Sequence, residues 1–130
     1  MNHNYPEYGF GLVLTGDEIE DFVNRLDAKI NAGMNGDPQL LVDNLGDDYG
    51  AKFYGDDMEG KHFYNHDGTV DLEEDDMLAF WAKHQPNAIK AVYDDIEAVE
   101  EEFRLKLGNF LPEDFDYKAH IGYFQCVIYC

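Results

Sequence analysis

The residues of this chain that could do chemistry are carboxylates, histidines and two cysteines, and the most motif-like group is Asn65-His66-Asp67-Gly68-Thr69-Val70-Asp71-Leu72-Glu73-Glu74. It matches the last ten positions of a calcium-binding EF-hand loop, with a glycine at the sharp turn, an apolar residue two later and a closing glutamate. The first ligand position, however, falls on Phe63, which has no oxygen to offer, and the glycine-rich stretch before it is a poor entering helix. The same residues read equally as a hairpin turning at His66-Asp67-Gly68, where glycine supplies the positive φ.

Histidines stand at 3, 62, 66, 84 and 120, with neither an H-E-x-x-H nor a zinc-closing Cys/His spacing. His62 and His66 with nearby carboxylates are the one pair that could take a metal, against the plain alternative of a solvated hairpin. Cys126 and Cys130 lie in an apolar segment, where extended backbone separates them by about 13 Å, beyond disulfide reach. Such thiols behave as small hydrophobes. Serine is absent, which removes a serine nucleophile, and Gly9-Phe10-Gly11 lacks the third glycine of a dinucleotide fingerprint. Carboxylate pairs are so abundant that none singles itself out for acid/base work. No catalytic residue, metal ligand or cofactor is assigned on these grounds, and the expectation is a binding protein.

What remains is the surplus of acid. Against 28 Asp and Glu stand nine Lys and Arg, a net charge of -19 on 130 residues. Small domains usually carry a net charge of about 2 to 8 in magnitude, because self-repulsion opposes compaction. The field repels nucleic acid and anionic membrane and attracts basic proteins and cations. The acids are grouped. Asp43, Asp47, Asp48, Asp56, Asp57 and Glu59 crowd the glycine-rich middle, and no Lys or Arg occurs between 62 and 82. The candidate partner-binding residues are Asp71, Glu73, Glu74, Asp75 and Asp76 in one cluster and Asp94, Asp95, Glu97, Glu101 and Glu102 along a helix face. Tyr49, Tyr54, Phe63, Tyr64 and Trp81 are candidate aromatic anchors among them, with a place in the core as the competing reading.

The elements that must position these groups follow from periodicity. Tyr8 to Leu14 alternates as a strand, Phe10, Leu12 and Leu14 on one face and Gly9, Gly11 and Val13 on the other, the glycines implying a close neighbour. Thr15 and Glu18 have capping-box spacing, Leu14 and Ile19 that of a hydrophobic staple. Ile19, Phe22, Val23, Leu26 and Ile30 then predict a helix over 17–32, closed by Gly33. Asp37-Pro38 predicts a short helix ending at Gly46. Residues 51–54, 61–64 and 69–72 predict three short strands of a meander, and 77–81 a short helix or a buried strand.

The longest helix is predicted from Pro86 to Leu107, with Ile89, Val92, Tyr93, Ile96, Val99, Phe103 and Leu107 as its apolar stripe. Glu100 with Arg104 and Glu102 with Lys106 are its i,i+4 pairs. Residues 120–130, apolar on both faces, predict a central strand beside the glycine-rich first one. The fold class is therefore α+β: one domain over 1–130, with a small, mostly antiparallel sheet that includes both terminal strands. One long C-terminal helix and one N-terminal helix pack on it.

In composition the chain is similar to small phage-encoded DNA mimics and anti-CRISPR proteins, though no motif carries the likeness. The expectation is a cytoplasmic inhibitor that binds a basic nucleic-acid-binding protein, a nuclease or CRISPR effector, by imitating phosphate charge. Neither nucleic acid nor membrane is an expected partner. The alternatives are an immunity protein neutralising a basic toxin, a cation-binding protein or an enzyme, and a face that is acidic only for solvation.

Overall fold

The structure, a computed structural model, describes residues 4–31, 33–55, 58–65, 68–72, 75–83, 85 and 91–129. In chain order the elements are β1 (Asn4–Thr15), α1 (Asp17–Ile30), α2 (Pro38–Tyr49), β2 (Ala51–Tyr54), β3 (His62–Asn65) and β4 (Gly68–Asp71). They continue with β5 (Met77–Trp81), α3 (Ala91–Leu107), a 3-10 turn over Gly108–Phe110, α4 (Tyr117–His120) and β6 (Ile121–Tyr129). The strands form one sheet in the order β2-β5-β1-β6-β3-β4, every pairing antiparallel. The terminal strands β1 and β6 lie side by side at its centre, as the apolar character of 120–130 predicts. The chain is α+β.

Alternation along β1 builds two cores. Phe10, Leu12 and Leu14 face the helices, where they meet Ile19, Phe22, Val23 and Leu26 of α1 and Val99, Phe103 and Leu107 of α3. Val13 faces the other way, into a second cluster with Tyr54, Phe63, Met77, Phe124 and Cys126, closed by Leu72 and Met58 from the loops.

That second cluster exists because the sheet folds over. In register, Lys52 is opposite Ala79 and Ala79 opposite Val13. Glu7 lies six residues before Val13, about 20 Å along a straight strand. Yet Lys52 Nζ donates to both Glu7 carboxylate oxygens, at 2.6 and 2.7 Å, and the Tyr54 hydroxyl donates to one of them at 3.1 Å. Between Glu7 and Val13 lies Gly11, paired with Gly122, and at these two glycines neighbouring backbone approaches most closely. A Cβ on Gly11 would stand 1.8 Å from the Phe80 carbonyl oxygen, and one on Gly122 1.9 Å from that of Tyr64. Only glycine lets neighbouring backbones come that close, as at a barrel corner. Where β5 ends, the Gln85 side chain takes over its pairing, accepting from Phe10 N–H at 2.7 Å and donating to Phe10 and Ala82 carbonyls at 2.7 and 2.6 Å.

Several boundaries differ from the sequence reading, each for a physical reason. Helix α1 stops at Asn31, which is left-handed at φ 54, and not at Gly33. The Asp27 carboxylate accepts the next backbone N–H groups, of Gly33, Met34 and Asn35, at 2.8, 3.0 and 3.2 Å, which draws the chain out of the helix. Ile30, assigned to the core stripe, is 43% exposed at that fraying end. Asp37 caps α2 as expected, accepting from Gln39 N–H at 2.9 Å, but the helix runs through Gly46 to a left-handed Gly50. Tyr49, three residues beyond Gly46, packs on the core, and that burial outweighs the roughly 1 kcal/mol helical penalty of one glycine.

The three short strands exist but form no meander. β2 is an edge strand on β5, while the β3–β4 hairpin joins the far side of β6. Residues 77–81 are a strand and not a helix, because both faces are covered: Leu78 and Phe80 by the helices, Met77 and Ala79 by the second core. Helix α3 buries Val99, Phe103 and Leu107 as its stripe predicts, and its predicted first turn, 86–90, lies outside the described residues. No helix among the described residues is long and apolar enough to cross a membrane.

Candidate functional site

Two loops rich in acid are fixed against each other by a buried ammonium. Lys61, fully buried, donates from Nζ to the Gly55 carbonyl at 2.5 Å and to the Asp75 carbonyl. Its own carbonyl accepts from Leu72 N–H at 2.9 Å. Further backbone bonds run from Met58 N–H to Gly55, from Asp75 N–H to Leu72 and from Val127 N–H to Glu59, at 3.1, 3.1 and 3.0 Å. A buried ammonium can satisfy its charge on carbonyl dipoles, and the two described partners of Lys61 are carbonyls, one from each loop. Glu59 and Asp75 are exposed on this clamped backbone and Asp76 is half-buried.

The second loop ends beside the start of α1, since Met77 is the register partner of Thr15. Asp75 and Asp76 therefore precede β5 at the end of the sheet where β1 leads into the acidic first turn of α1, Asp17, Glu18 and Glu20. Carboxylates there also complement the helix N-terminus. Glu18 realises half of the predicted capping box by accepting from Thr15 N–H at 3.2 Å, while Gly16 is the cap residue and gives no side-chain bond.

The other Glu18 oxygen lies 2.5 Å from His120 Nε2, and His120 Nδ1 lies 2.7 Å from the Asp116 carbonyl oxygen. Both ring nitrogens face oxygen acceptors, an arrangement that favours imidazolium paired with carboxylate. Burial works against the charge on His120, yet the bonds to Glu18 and Asp116 outweigh it and its pKa lies above the ordinary value. Glu18 is likewise desolvated, and His120 and Thr15 hold it below the ordinary carboxylate range. This pair forms the rim of a cavity of about 160 Å³ whose other lining residues are Val13, Thr15, Phe63, Asn65, Leu72 and Ala119. At the opposite end of the second core, burial and then the Glu7 carboxylate push the Tyr54 phenol well up, so it stays a donor.

Of the ten residues singled out by sequence, Asp71 ends β4 opposite His62, Glu73 and Glu74 lie outside the described residues, and Asp75 and Asp76 belong to the clamped loop. Asp94, Asp95, Glu97, Glu101 and Glu102 lie on α3. Glu97 and Glu101 are exposed, while Glu102 accepts from Lys83 N–H at 3.1 Å and reaches Lys106 only through its field. Glu100 holds Arg104 at 2.7 Å. The first group attaches to the second core and the second group to the helix-side core, so the sheet stands between their anchorages.

The candidate aromatic anchors are largely interior: Tyr54 and Phe63 are buried, and Tyr49 and Trp81 pack on the two cores. The exposed large apolar side chains among the described residues, Tyr8, Ile30, Leu40 and Leu105, come from β1, α1, α2 and α3. The EF-hand-like run is a β-hairpin, with Asn65 paired to Gly68 and a strand where the motif needs an entering helix; His66 and Asp67 lie outside the described residues. Among the described residues no group of three or more His, Cys, Asp or Glu is placed to hold a metal. Cys126 is buried with its thiol toward the Glu59 carbonyl at 3.4 Å, and Cys130 lies outside the described residues. Compared with known proteins, the chain matches no family model, no curated protein and no solved structure at significant similarity.

Sequence reasoning missed Lys61 and His120. Nothing in local spacing marks either one, since the described partners of Lys61 are backbone carbonyls and the carboxylate partner of His120 is 102 residues away.

Proposed function

We propose that this protein is an inhibitor that binds a basic nucleic-acid-binding protein and occupies its phosphate-binding groove with carboxylates. The observation that carries this reading is that the net charge of -19 includes acids held on pinned backbone: Glu59 and Asp75 on loops clamped by Lys61, Glu97 and Glu101 on a seventeen-residue helix. Carboxylates whose backbone is already ordered lose little conformational entropy on binding, which favours a rigid mimic over a loose acidic tail. A groove built to neutralise phosphates attracts such a surface at long range, and the attraction is screened by salt.

The test is competition. A labelled duplex bound to a candidate nuclease is titrated with the protein, and displacement is followed by fluorescence anisotropy from about 50 to about 200 mM salt. Displacement that weakens steeply with salt is expected, and no displacement, or displacement indifferent to salt, defeats the proposal. Paired charge reversals, Glu59→Lys with Asp75→Lys against Glu97→Lys with Glu101→Lys, identify which group makes contact.

A further inference from the structure

The cavity beside the Glu18 and His120 pair is built for one particular kind of side chain. At about 160 Å³ it is smaller than pockets that take nucleotides or drug-sized ligands, and close to engineered cavities that hold a single benzene. Its walls include Val13, Phe63 and Leu72, all from the second core, which suit methylene groups. Its rim carries Glu18, whose side chain keeps 39% of its surface exposed.

We propose that this cavity receives a lysine side chain of the basic partner, its methylenes against Val13, Phe63 and Leu72 and its ammonium on the Glu18 carboxylate. The inference rests on the partner being basic and adds the anchor point of the complex. Glu18 already accepts from Thr15 through Oε1 and from His120 through Oε2. A carboxylate offers about four acceptor positions, so it can take a further donor, but with each oxygen already engaged fewer positions remain for the paired bonds of a guanidinium fork. A compact ammonium on a flexible stem needs only one of the remaining positions, which favours lysine over arginine. His120 shares the carboxylate, so one lysine alone binds weakly and gains its effect as the buried centre of a larger contact.

The test is an NMR titration of the full chain with Nα-acetyl-lysine methylamide, against the norleucine and arginine analogues. Saturable shifts are expected at the Val13 and Leu72 methyls and the Ala119 amide, with the norleucine analogue up to about fivefold weaker, the ratio of a partly exposed ion pair. Glu18→Gln removes that preference. Ala119→Leu fills part of the cavity and weakens lysine binding, which keeps the test valid where Glu18→Gln does not fold. Equal shifts from norleucine, tighter binding of the arginine analogue, or shifts spread over the acidic surface that spare Val13 and Leu72 each overturn the proposal. The titration contains no protein partner, so an empty cavity leaves the duplex competition standing, and a failed competition leaves the lysine signal readable.

Discussion

Replacing Lys61 by methionine keeps an unbranched side chain of similar length and deletes the charge that joins the two acidic loops. Its ammonium makes two described bonds to backbone carbonyls, of Gly55 and Asp75, from a site with no solvent exposure. Each bond from a charged donor contributes about 1.5–3 kcal/mol, and each carbonyl left without a donor costs about 1–3 kcal/mol. The variant no longer desolvates an ammonium, which returns several kcal/mol. The net expected destabilisation is about 2–4 kcal/mol, and for a chain of this length that lowers Tm by roughly 10 °C. Calorimetry measures the shift, and amide exchange localises it: the Leu72 and Met58 N–H groups, both bonded within the clamp, should lose protection before those of β1 and β6. A Tm within about 2 °C of wild type, or unchanged protection at Leu72, refutes the clamp. Under the proposed function, a clamp that orders the acidic surface predicts that the same variant displaces duplex less well at a temperature where it remains folded.

Three further outcomes are expected. The His120 pKa is raised, so its contribution is complete below 6.5 and is lost as pH rises through the higher folded value, while that of Glu18 is complete above 4.5 and is lost as pH falls through its lowered one. Asp116 and Glu18 are the acids that act on His120, and the stability gap between wild type and His120→Gln, from thermal melts, should be widest between pH 4.5 and 6.5 and close toward alkaline pH. A gap that widens above neutrality contradicts the imidazolium assignment. Gly11→Ala and Gly122→Ala each place a Cβ within 2 Å of a neighbouring carbonyl oxygen, 1.8 and 1.9 Å. Each should destabilise by about 3 kcal/mol or more in urea unfolding, since the backbone itself must move, and a neutral result at both removes the fold in the sheet. Gln85→Leu deletes three bonds to backbone and should cost about 1–3 kcal/mol, with faster exchange at Phe10 N–H as the local readout.

Much of the fold is legible in local patterns. The two-residue alternation of β1 separates its core residues correctly, because the strand really is buried on both faces. Capping of α2 by Asp37 before Pro38, and the Glu100 to Arg104 pair on α3, depend only on neighbours within one helical turn. The elements that local pattern leaves open or ends too early are those that distant chain decides. Residues 77–81 are five apolar or aromatic positions whose periodicity fits helix or strand alike, and the choice is made by pairing with β1 and β2. Gly46 has the residue type of a helix end, yet Tyr49 beyond it packs on the core and carries the helix past it.

The sequence by itself determined the charge, the alternation of strands and helices and the absence of a serine nucleophile, since composition and short-range periodicity are properties of the chain and need no partner. Only the tertiary structure decided that Gly11 meets Gly122 at a fold in the sheet, that Lys61 turns inward between two acidic loops, and that Glu18 and His120 close one end of the second core. Each of these is a long-range contact whose energy comes from burial and from polar groups satisfied across the fold, and no window of neighbouring residues contains both halves of it.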